Sequence, residues 1–213
     1  MQVVVTIDVE HGDRPAPDPL GALRRMLEVL DHHGAPASFF VQGRFARAHP
    51  DLVASLAERD PTLGTHGYAH VDYRRLTPDG VRAELADGVR ALSEAAPGHA
   101  VRFARLPHGY GNDEPAVQEA LRGASLVSVG WDFSTYDWDD RLTVGARTAR
   151  ALAALERGGV VLLHSWPPRS PDILAGLLEA AGPGVVCSLD DVELPGRQVS
   201  GATMHRERTD LPR

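Results

Sequence analysis

The chain has 213 residues, of which 43% are apolar and 24% charged, and its formal net charge is −7. This balance predicts one globular domain, and an acidic chain without a basic stripe argues against a nucleic-acid partner. The single cysteine, Cys187, excludes an intramolecular disulfide and a zinc–thiolate cluster. No signal peptide is readable and no stretch approaches ~20 apolar residues, so we expect a cytoplasmic protein that does not enter membranes.

Short apolar runs alternate along the chain with segments of helical pattern, which is typical of parallel β/α units. The predicted strands are residues 3–7, 37–41, 62–65, 101–104, 125–129, 160–163 and 185–188. The predicted helices are residues 20–33, 51–59, 78–96, 114–122, 144–157 and 171–181. Thr77 before Pro78 indicates a helix start, and Gly34 and Gly158 indicate helix ends.

Seven strands alternating with helices predict an α/β fold, a distorted or incomplete (β/α)7–8 barrel in a single domain. An open doubly wound sheet is the alternative. The catalytic domain is expected to span residues 1–194, and residues 195–213 form a polar C-terminal tail that we expect to be loosely packed or disordered. In both folds the active groups lie at the C-terminal ends of strands. The chemically capable side chains that follow predicted strands are Asp8, Glu10, His66, Arg105, Asp132, Asp137 and His164.

Two short motifs suggest a metal site. Asp8 and Glu10 follow the first strand, and alternate residues of a strand point the same way. His66 and His70 are four residues apart, which on a helical turn would place both imidazoles on one face. Loop solvation and a pair of surface histidines are the plainer interpretations, but a carboxylate with two histidines is a known catalytic zinc set.

Three further residues could carry acid–base chemistry. Arg105 could orient a carboxylate, or it could form a structural ion pair. His164 ends an apolar run and could act as a general acid, although a buried structural histidine is the alternative. Asp137 lies in an acidic and aromatic loop with Tyr136 and Trp138, a composition that suits carbohydrate binding and also plain packing.

The residues also resemble a known family, motif by motif and in order. The polysaccharide deacetylases of carbohydrate esterase family four have a first motif Thr-Phe-Asp-Asp, which corresponds here to residues 6–10, with the second acid one residue later at Glu10. Residues 37–41, Ala-Ser-Phe-Phe-Val, resemble the family's Ala-Thr-Phe-Phe-Val strand. The second motif, His-Ser/Thr-x-x-His, corresponds to residues 66–70, with Gly67 in place of the hydroxyl residue.

The remaining three motifs follow at later strand ends. The third, Arg-x-Pro-Tyr-Gly, resembles residues 105–109, with His108 in place of tyrosine. The fourth, Asp-x-x-Asp-Trp, keeps Asp137 and Trp138 but has Ser134 at its first position. The fifth, Leu-x-His, matches residues 162–164. The resemblance covers residues 3 to about 191, and its departures affect the expected pocket rather than the acid, the base or the histidine ligands.

The resemblance implies hydrolysis of an amide, most often an N-acetyl group on an amino sugar. It implies a divalent cation, zinc or else Co²⁺, Ni²⁺ or Mn²⁺, with Glu10, His66 and His70 as ligands. Asp8 would be the general base oriented by Arg105, and His164 the general acid supported by Asp137. A backbone N–H near His108 would help to hold the oxyanion. The residues expected to contact the saccharide or small-molecule substrate are His108, Tyr136, Trp138 and Trp166.

Three alternatives stay open from the sequence. The same fold could hydrolyse a small amide or ureide without metal, with the altered pocket favouring a small substrate over a polymer. The chain could be a non-catalytic carbohydrate-binding relative, although binding alone does not need both an acid and a base. Asp8 and His164 could also serve as a proton-transfer pair in an isomerase. The sequence does not indicate an oligomeric state.

Overall fold

The computed structural model of the protein describes residues 2–11, 18–59 and 62–192. Within these residues the chain forms eight strands: β1 (Val3–Val9), β2 (Ser38–Val41), β3 (Leu63–Thr65), β4 (Phe103–Ala104), β5 (Val127–Ser128), β6 (Phe133–Ser134), β7 (Gly159–His164) and β8 (Val186–Cys187). The described part also contains seven α-helices: α1 (Gly21–His33), α2 (Gly43–Ala48), α3 (Pro50–Arg59), α4 (Pro78–Ala95), α5 (Pro115–Gly123), α6 (Val144–Arg157) and α7 (Ser170–Ala180).

The strands form one parallel sheet in the order β5-β4-β3-β2-β1-β7-β6, and β8 pairs with the first residues of β1. The sheet curls into a half-barrel with the helices packed outside it, which confirms the predicted distorted or incomplete barrel. Because β1 lies at the centre and pairs with β2 and β7, the residues that follow these three strands meet at one end of the barrel.

Strand β1 is buried on both faces, as a central parallel strand is expected to be. Its odd-numbered residues, Val3 to Val9, pack in the large cluster that includes the inner faces of α1 and α7. Val4 packs on the other face with Phe40 and Val160 inside the barrel. The alternation of side chains along a strand therefore directs Thr6 and Asp8 into the barrel interior.

The helices follow the apolar spacing of the sequence. In α1 the buried residues Leu23, Met26, Leu27 and Leu30 recur at the spacing of one helical face. The predicted ends are confirmed: Gly34 adopts the left-handed conformation after α1, and the Thr77 side chain accepts a hydrogen bond from the Gly80 N–H at the start of α4.

Two elements were missed by the sequence pattern. Helix α2 has six residues directly after β2, and β6 has two residues, so neither is long enough to show a hydrophobic period. The missed strand also corrects the place of Asp132. This residue was expected among the active groups, but it precedes β6, and its carboxylate accepts a hydrogen bond from the Val160 N–H near the start of β7, 2.9 Å away. It therefore lies at the opposite end of β7 from His164.

Some expectations fall outside the described residues. The tail of residues 195–213, its predicted disorder and the domain boundary at residue 194 all belong to that part of the chain.

Cys187 is buried as a free thiol in β8. Among the described residues, none of the helices combines the length and the apolar character needed to cross a membrane.

Candidate active site

Four side chains from two strand ends form the centre of the site. Asp8 and Glu10 come from the end of β1, and His66 and His70 follow β3. Glu10, His66 and His70 each offer one ligand atom, and these atoms all lie within 4.8 Å of one another. The structure thus brings together the three residues that the sequence predicted as metal ligands.

The loop that carries the two histidines is not helical, so the expectation of a helical turn was wrong. Gly67 and His70 both adopt positive φ angles, 68° and 56°, and these kinks bring the imidazoles together. Glu84 of α4 holds the loop, because its carboxylate accepts hydrogen bonds from the Tyr68 and Ala69 N–H groups at 3.0 and 2.9 Å. Glu84 was not predicted from the sequence, because it is one of several ordinary polar residues on α4.

The donor set fits a divalent cation. Glu10 Oε2 is buried without a hydrogen-bond partner among the described residues, and it lies 2.9 Å from His70 Nε2 and 3.6 Å from His66 Nε2 in poor hydrogen-bond geometry. His66 Nδ1 lies 2.9 Å from the Arg105 carbonyl, so we assign its proton there, which leaves Nε2 as a ligand. Burial would raise the pKa of Glu10, but the adjacent histidines lower it to about 2.

Asp8 is held by a buried arginine from the end of β4. Arg105 Nη1 donates to Asp8 Oδ1 at 2.8 Å and to Thr6 Oγ1 at 2.9 Å. Its other nitrogens donate to the carbonyls of Val129 and Gly130, and its guanidinium lies over the Phe40 ring. All three guanidinium nitrogens donate hydrogen bonds, so Arg105 is held firmly and fixes Asp8 Oδ1. The other carboxylate oxygen, Oδ2, faces the proposed ligands and lies 3.6 Å from His66 Nε2.

A second charged pair lies at the end of β7. His164 Nδ1 lies 2.8 Å from Asp137 Oδ1, and Asp137 Oδ2 accepts from the His164 N–H at 2.7 Å and from the Ser170 hydroxyl at 2.6 Å. Burial would lower the pKa of His164, but the charge and hydrogen bond of Asp137 raise it to about 9. Ser170 begins α7 and was missed, because a serine at a helix start normally indicates only a cap.

Comparison with known proteins agrees with these observations. The sequence model of the family described as polysaccharide deacetylase matches residues 3–124, more than half of the chain. The chain belongs to the polysaccharide deacetylase family. The matched part contains Asp8, the three candidate ligands and Arg105, and it ends before Asp137 and His164.

Individual relatives show the same likeness. A chitooligosaccharide deacetylase from Sinorhizobium fredii is 30% identical over 171 residues, which are 80% of this chain and 75% of the relative. The family 4 carbohydrate esterase from Streptomyces lividans, solved in complex with acetate, has a TM-score of 0.73 at 23% identity and covers 88% of this chain and 91% of its own. A family pseudoenzyme from Bacillus anthracis has a TM-score of 0.72 at 22% identity over 84% of this chain and 59% of its own. These two structures show the shared fold.

Two departures from the polysaccharide deacetylase motifs have structural explanations. A Cβ atom at Gly67 would lie 2.5 Å from the Tyr73 hydroxyl, and the positive φ at this position disfavours any side chain. Ser134 is buried, and its hydroxyl accepts a hydrogen bond from the Tyr136 N–H at 3.3 Å. Neither position presents the polar group that the family motif would place there.

The predicted substrate-binding residues fall into two groups. His108 and Trp166 lie at the site: the His108 ring is 4.4 Å from that of His70, and the Trp166 indole N–H donates to Glu10 Oε1 at 3.1 Å. Tyr136 and Trp138 lie in the loop after β6 with their rings 5.7 Å apart. Tyr136 is buried and Trp138 is 37% exposed, so of these two only Trp138 offers a large surface to a ligand. Contact with substrate stays a prediction for all four.

Proposed function

We propose that the protein is a metal-dependent hydrolase that removes an acyl group, N-acetyl by preference, from an amino sugar or a similar small amide. The observation that carries this proposal is the convergence of Glu10, His66 and His70 on a buried carboxylate oxygen that has no hydrogen-bond partner among the described residues. Two further pairs accompany this set, Asp8 with Arg105 and His164 with Asp137, and they support a base and an acid. Membership of the polysaccharide deacetylase family supports the reaction class.

The proposed cation is zinc, because two imidazoles and one carboxylate form a donor set that this ion favours, with Co²⁺, Ni²⁺ and Mn²⁺ as alternatives. When bound, such an ion lowers the pKa of water and polarises the substrate carbonyl. Glu10 is ionised at neutral pH, and His66 is oriented by the Arg105 carbonyl, so both are prepared to act as ligands.

The remaining residues supply proton transfer. Asp8 is proposed to accept the proton of the attacking water, while the hydrogen bond from Arg105 holds its carboxylate in place. His164 is proposed to donate a proton to the leaving amine from Nε2, because Asp137 occupies Nδ1. A backbone N–H near His108 is proposed to donate to the acyl oxygen as it gains negative charge.

The proposed substrate is a small acylated saccharide. The relative from Sinorhizobium fredii is named as acting on chitooligosaccharides, which supports a short amino-sugar chain. His108 supports a pocket different from that of the family pattern, because its exposed ring replaces the expected tyrosine next to the site. Trp138 provides an exposed aromatic face that suits a sugar ring.

Metal content and acetate release test the proposal together. Purified protein is expected to hold about one zinc or similar ion per chain, and His66→Ala/His70→Ala is expected to lose it. With an N-acetylated chitooligosaccharide, wild type is expected to release acetate. Asp8→Asn is expected to keep the metal and lose turnover, and the control His32→Ala, on the exposed end of α1, is expected to match wild type.

Other outcomes would select the alternatives. Acetate release that survives complete removal of metal would indicate a metal-independent amidase. Bound metal and bound saccharide without any acetate release would indicate a non-catalytic relative, a possibility that the structural likeness to a family pseudoenzyme keeps relevant. Loss of metal in Asp8→Asn would show that Asp8 is a ligand rather than the base.

A further inference from the structure

Glu10 stands one residue beyond the position where the first motif of the family places its second acid. That position is Val9, whose side chain is 0% exposed and packs in the core outside the barrel. Side chains alternate along β1, so Asp8 and Glu10 face the site while Val9 faces the helices. Glu10, however, lies after the last residue of β1, where strand pairing no longer fixes the backbone.

Two consecutive residues after β7 contact Glu10 at every polar group that it has, apart from Oε2. The Glu10 N–H donates to Ser165 Oγ at 3.2 Å, and the Ser165 hydroxyl lies 3.4 Å from the Glu10 carbonyl oxygen. The Trp166 indole N–H donates to Glu10 Oε1 at 3.1 Å. The Ser165 N–H in turn donates to the Asp8 carbonyl at 2.9 Å, which continues the pairing with β1 one residue beyond the end of β7.

We propose that Ser165 and Trp166 are positioning residues that clamp Glu10 as a metal ligand. Ser165 fixes the backbone of Glu10, and Trp166 occupies Oε1 so that Oε2 is left for the ion. Both residues are contiguous with His164, so one three-residue segment fixes the ligand and carries the proposed acid. This inference rests on the proposed metal site and deepens it.

The chemistry supports this assignment for Trp166. An indole N–H is a donor only, and that of Trp166 is directed at Oε1 of Glu10. Hydrogen bonds to ligating carboxylates orient the ligand, and their loss typically lowers metal affinity about 10- to 100-fold. A residue that merely packed against substrate would leave the affinity of the ion unchanged.

The test compares Zn²⁺ affinity and the visible spectrum of the Co²⁺-substituted protein in wild type and Trp166→Phe. The phenylalanine variant keeps an aromatic ring and removes the N–H donor together with part of the ring volume. We expect its Zn²⁺ dissociation constant, measured by competition with a chromophoric chelator, to rise about 10- to 100-fold. The Co²⁺ absorption bands are expected to shift because the carboxylate is no longer held. Trp138→Phe, which removes a tryptophan that lies in the loop after β6, is the matched control and is expected to bind Zn²⁺ as wild type does.

The possible results distinguish a failure of the proposed clamp from a failure of the proposed metal site. Wild-type affinity and an unchanged Co²⁺ spectrum in Trp166→Phe would overturn the clamp, while a wild type that binds no metal at all would overturn the proposed function instead. Should Trp166→Phe fail to fold, Ser165→Ala removes a single hydroxyl and is expected to weaken Zn²⁺ binding in the same way. Wild-type affinity in that variant would overturn the clamp equally.

Discussion

The pair of Asp137 and His164 makes the stability of the protein depend on pH in a way that one substitution should remove. Asp137 is buried, and His164 is nearly so, and the two side chains are joined at 2.8 Å. Replacing Asp137 with asparagine keeps the size of the side chain and removes its charge. Burial, which lowers the pKa of a histidine, would then be opposed only by the weaker effects of the Glu10 and Asp8 charges on His164.

The magnitude follows from the pKa of His164. Its value is about 9 in the folded protein and 6.5 in the ordinary reference, a difference that corresponds to about 3 kcal/mol of unfolding free energy. Because the folded pKa is the higher one, this stabilisation is fully present below about pH 6.5 and is lost as the pH rises through about 9. Asp137→Asn should therefore be destabilised most at the acidic end of this window.

Urea unfolding of metal-free protein at several pH values between about 6 and 9 measures this effect. Wild type and Asp137→Asn are expected to differ by about 3 kcal/mol near pH 6 and to converge toward pH 9. A remaining difference of about 1 kcal/mol that does not vary with pH would come from the weakened hydrogen bonds to Ser170 and the backbone. The exposed Asp113→Asn serves as the control and is expected to follow wild type throughout.

The decisive result is how the difference in unfolding free energy between wild type and Asp137→Asn varies with pH, rather than its size at one pH. Two unfolding curves that stay separated by a constant amount across the window would show that His164 does not hold an extra proton in the folded state. The assignment of His164 as a charged acid beside Asp137 would then be refuted, whatever the activity of the variant.

Three other substitutions are predicted to act through the surroundings of the site, and urea unfolding measures each. Gly67→Ala should lower the unfolding free energy by about 1–3 kcal/mol, because the positive φ and a nearby hydroxyl leave no room for a methyl group. The matched control Gly123→Ala, in a helix, should be neutral or stabilising, and an equal loss in both variants would contradict this explanation. Arg105→Met should lower the unfolding free energy by about 3–5 kcal/mol, because it leaves the Asp8 carboxylate buried without its arginine. A loss below about 1 kcal/mol would argue against a stabilising Arg105–Asp8 ion pair. Val9→Asp, which restores the acid position of the family motif, should prevent stable folding by burying a charge in the core, and a folded variant that binds Zn²⁺ more tightly would refute our explanation of Glu10.

Local patterns were sufficient where a feature depends on neighbouring residues. The alternation in β1 predicted that Asp8 and Glu10 share a face, and the cap residues predicted the ends of α1 and α4. The short elements α2 and β6 were not predicted, because so few residues show no hydrophobic period. Since β6 was missed, Asp132 was wrongly expected at the active end of the barrel. The expected cytoplasmic location and the tail beyond residue 194 stay predictions.

The sequence by itself determined the fold class and predicted most of the side chains that meet in the candidate site, since chemically capable residues follow apolar runs whose ends the barrel brings together. Only the tertiary structure decided which neighbouring residues hold these side chains in place. Trp166 and Glu10 are 156 positions apart in the chain and meet only because β7 pairs with β1. Glu84 and Ser170 likewise reach the site because their helices pack beside it. Such contacts depend on the order of the strands and cannot be predicted from the local spacing of apolar residues.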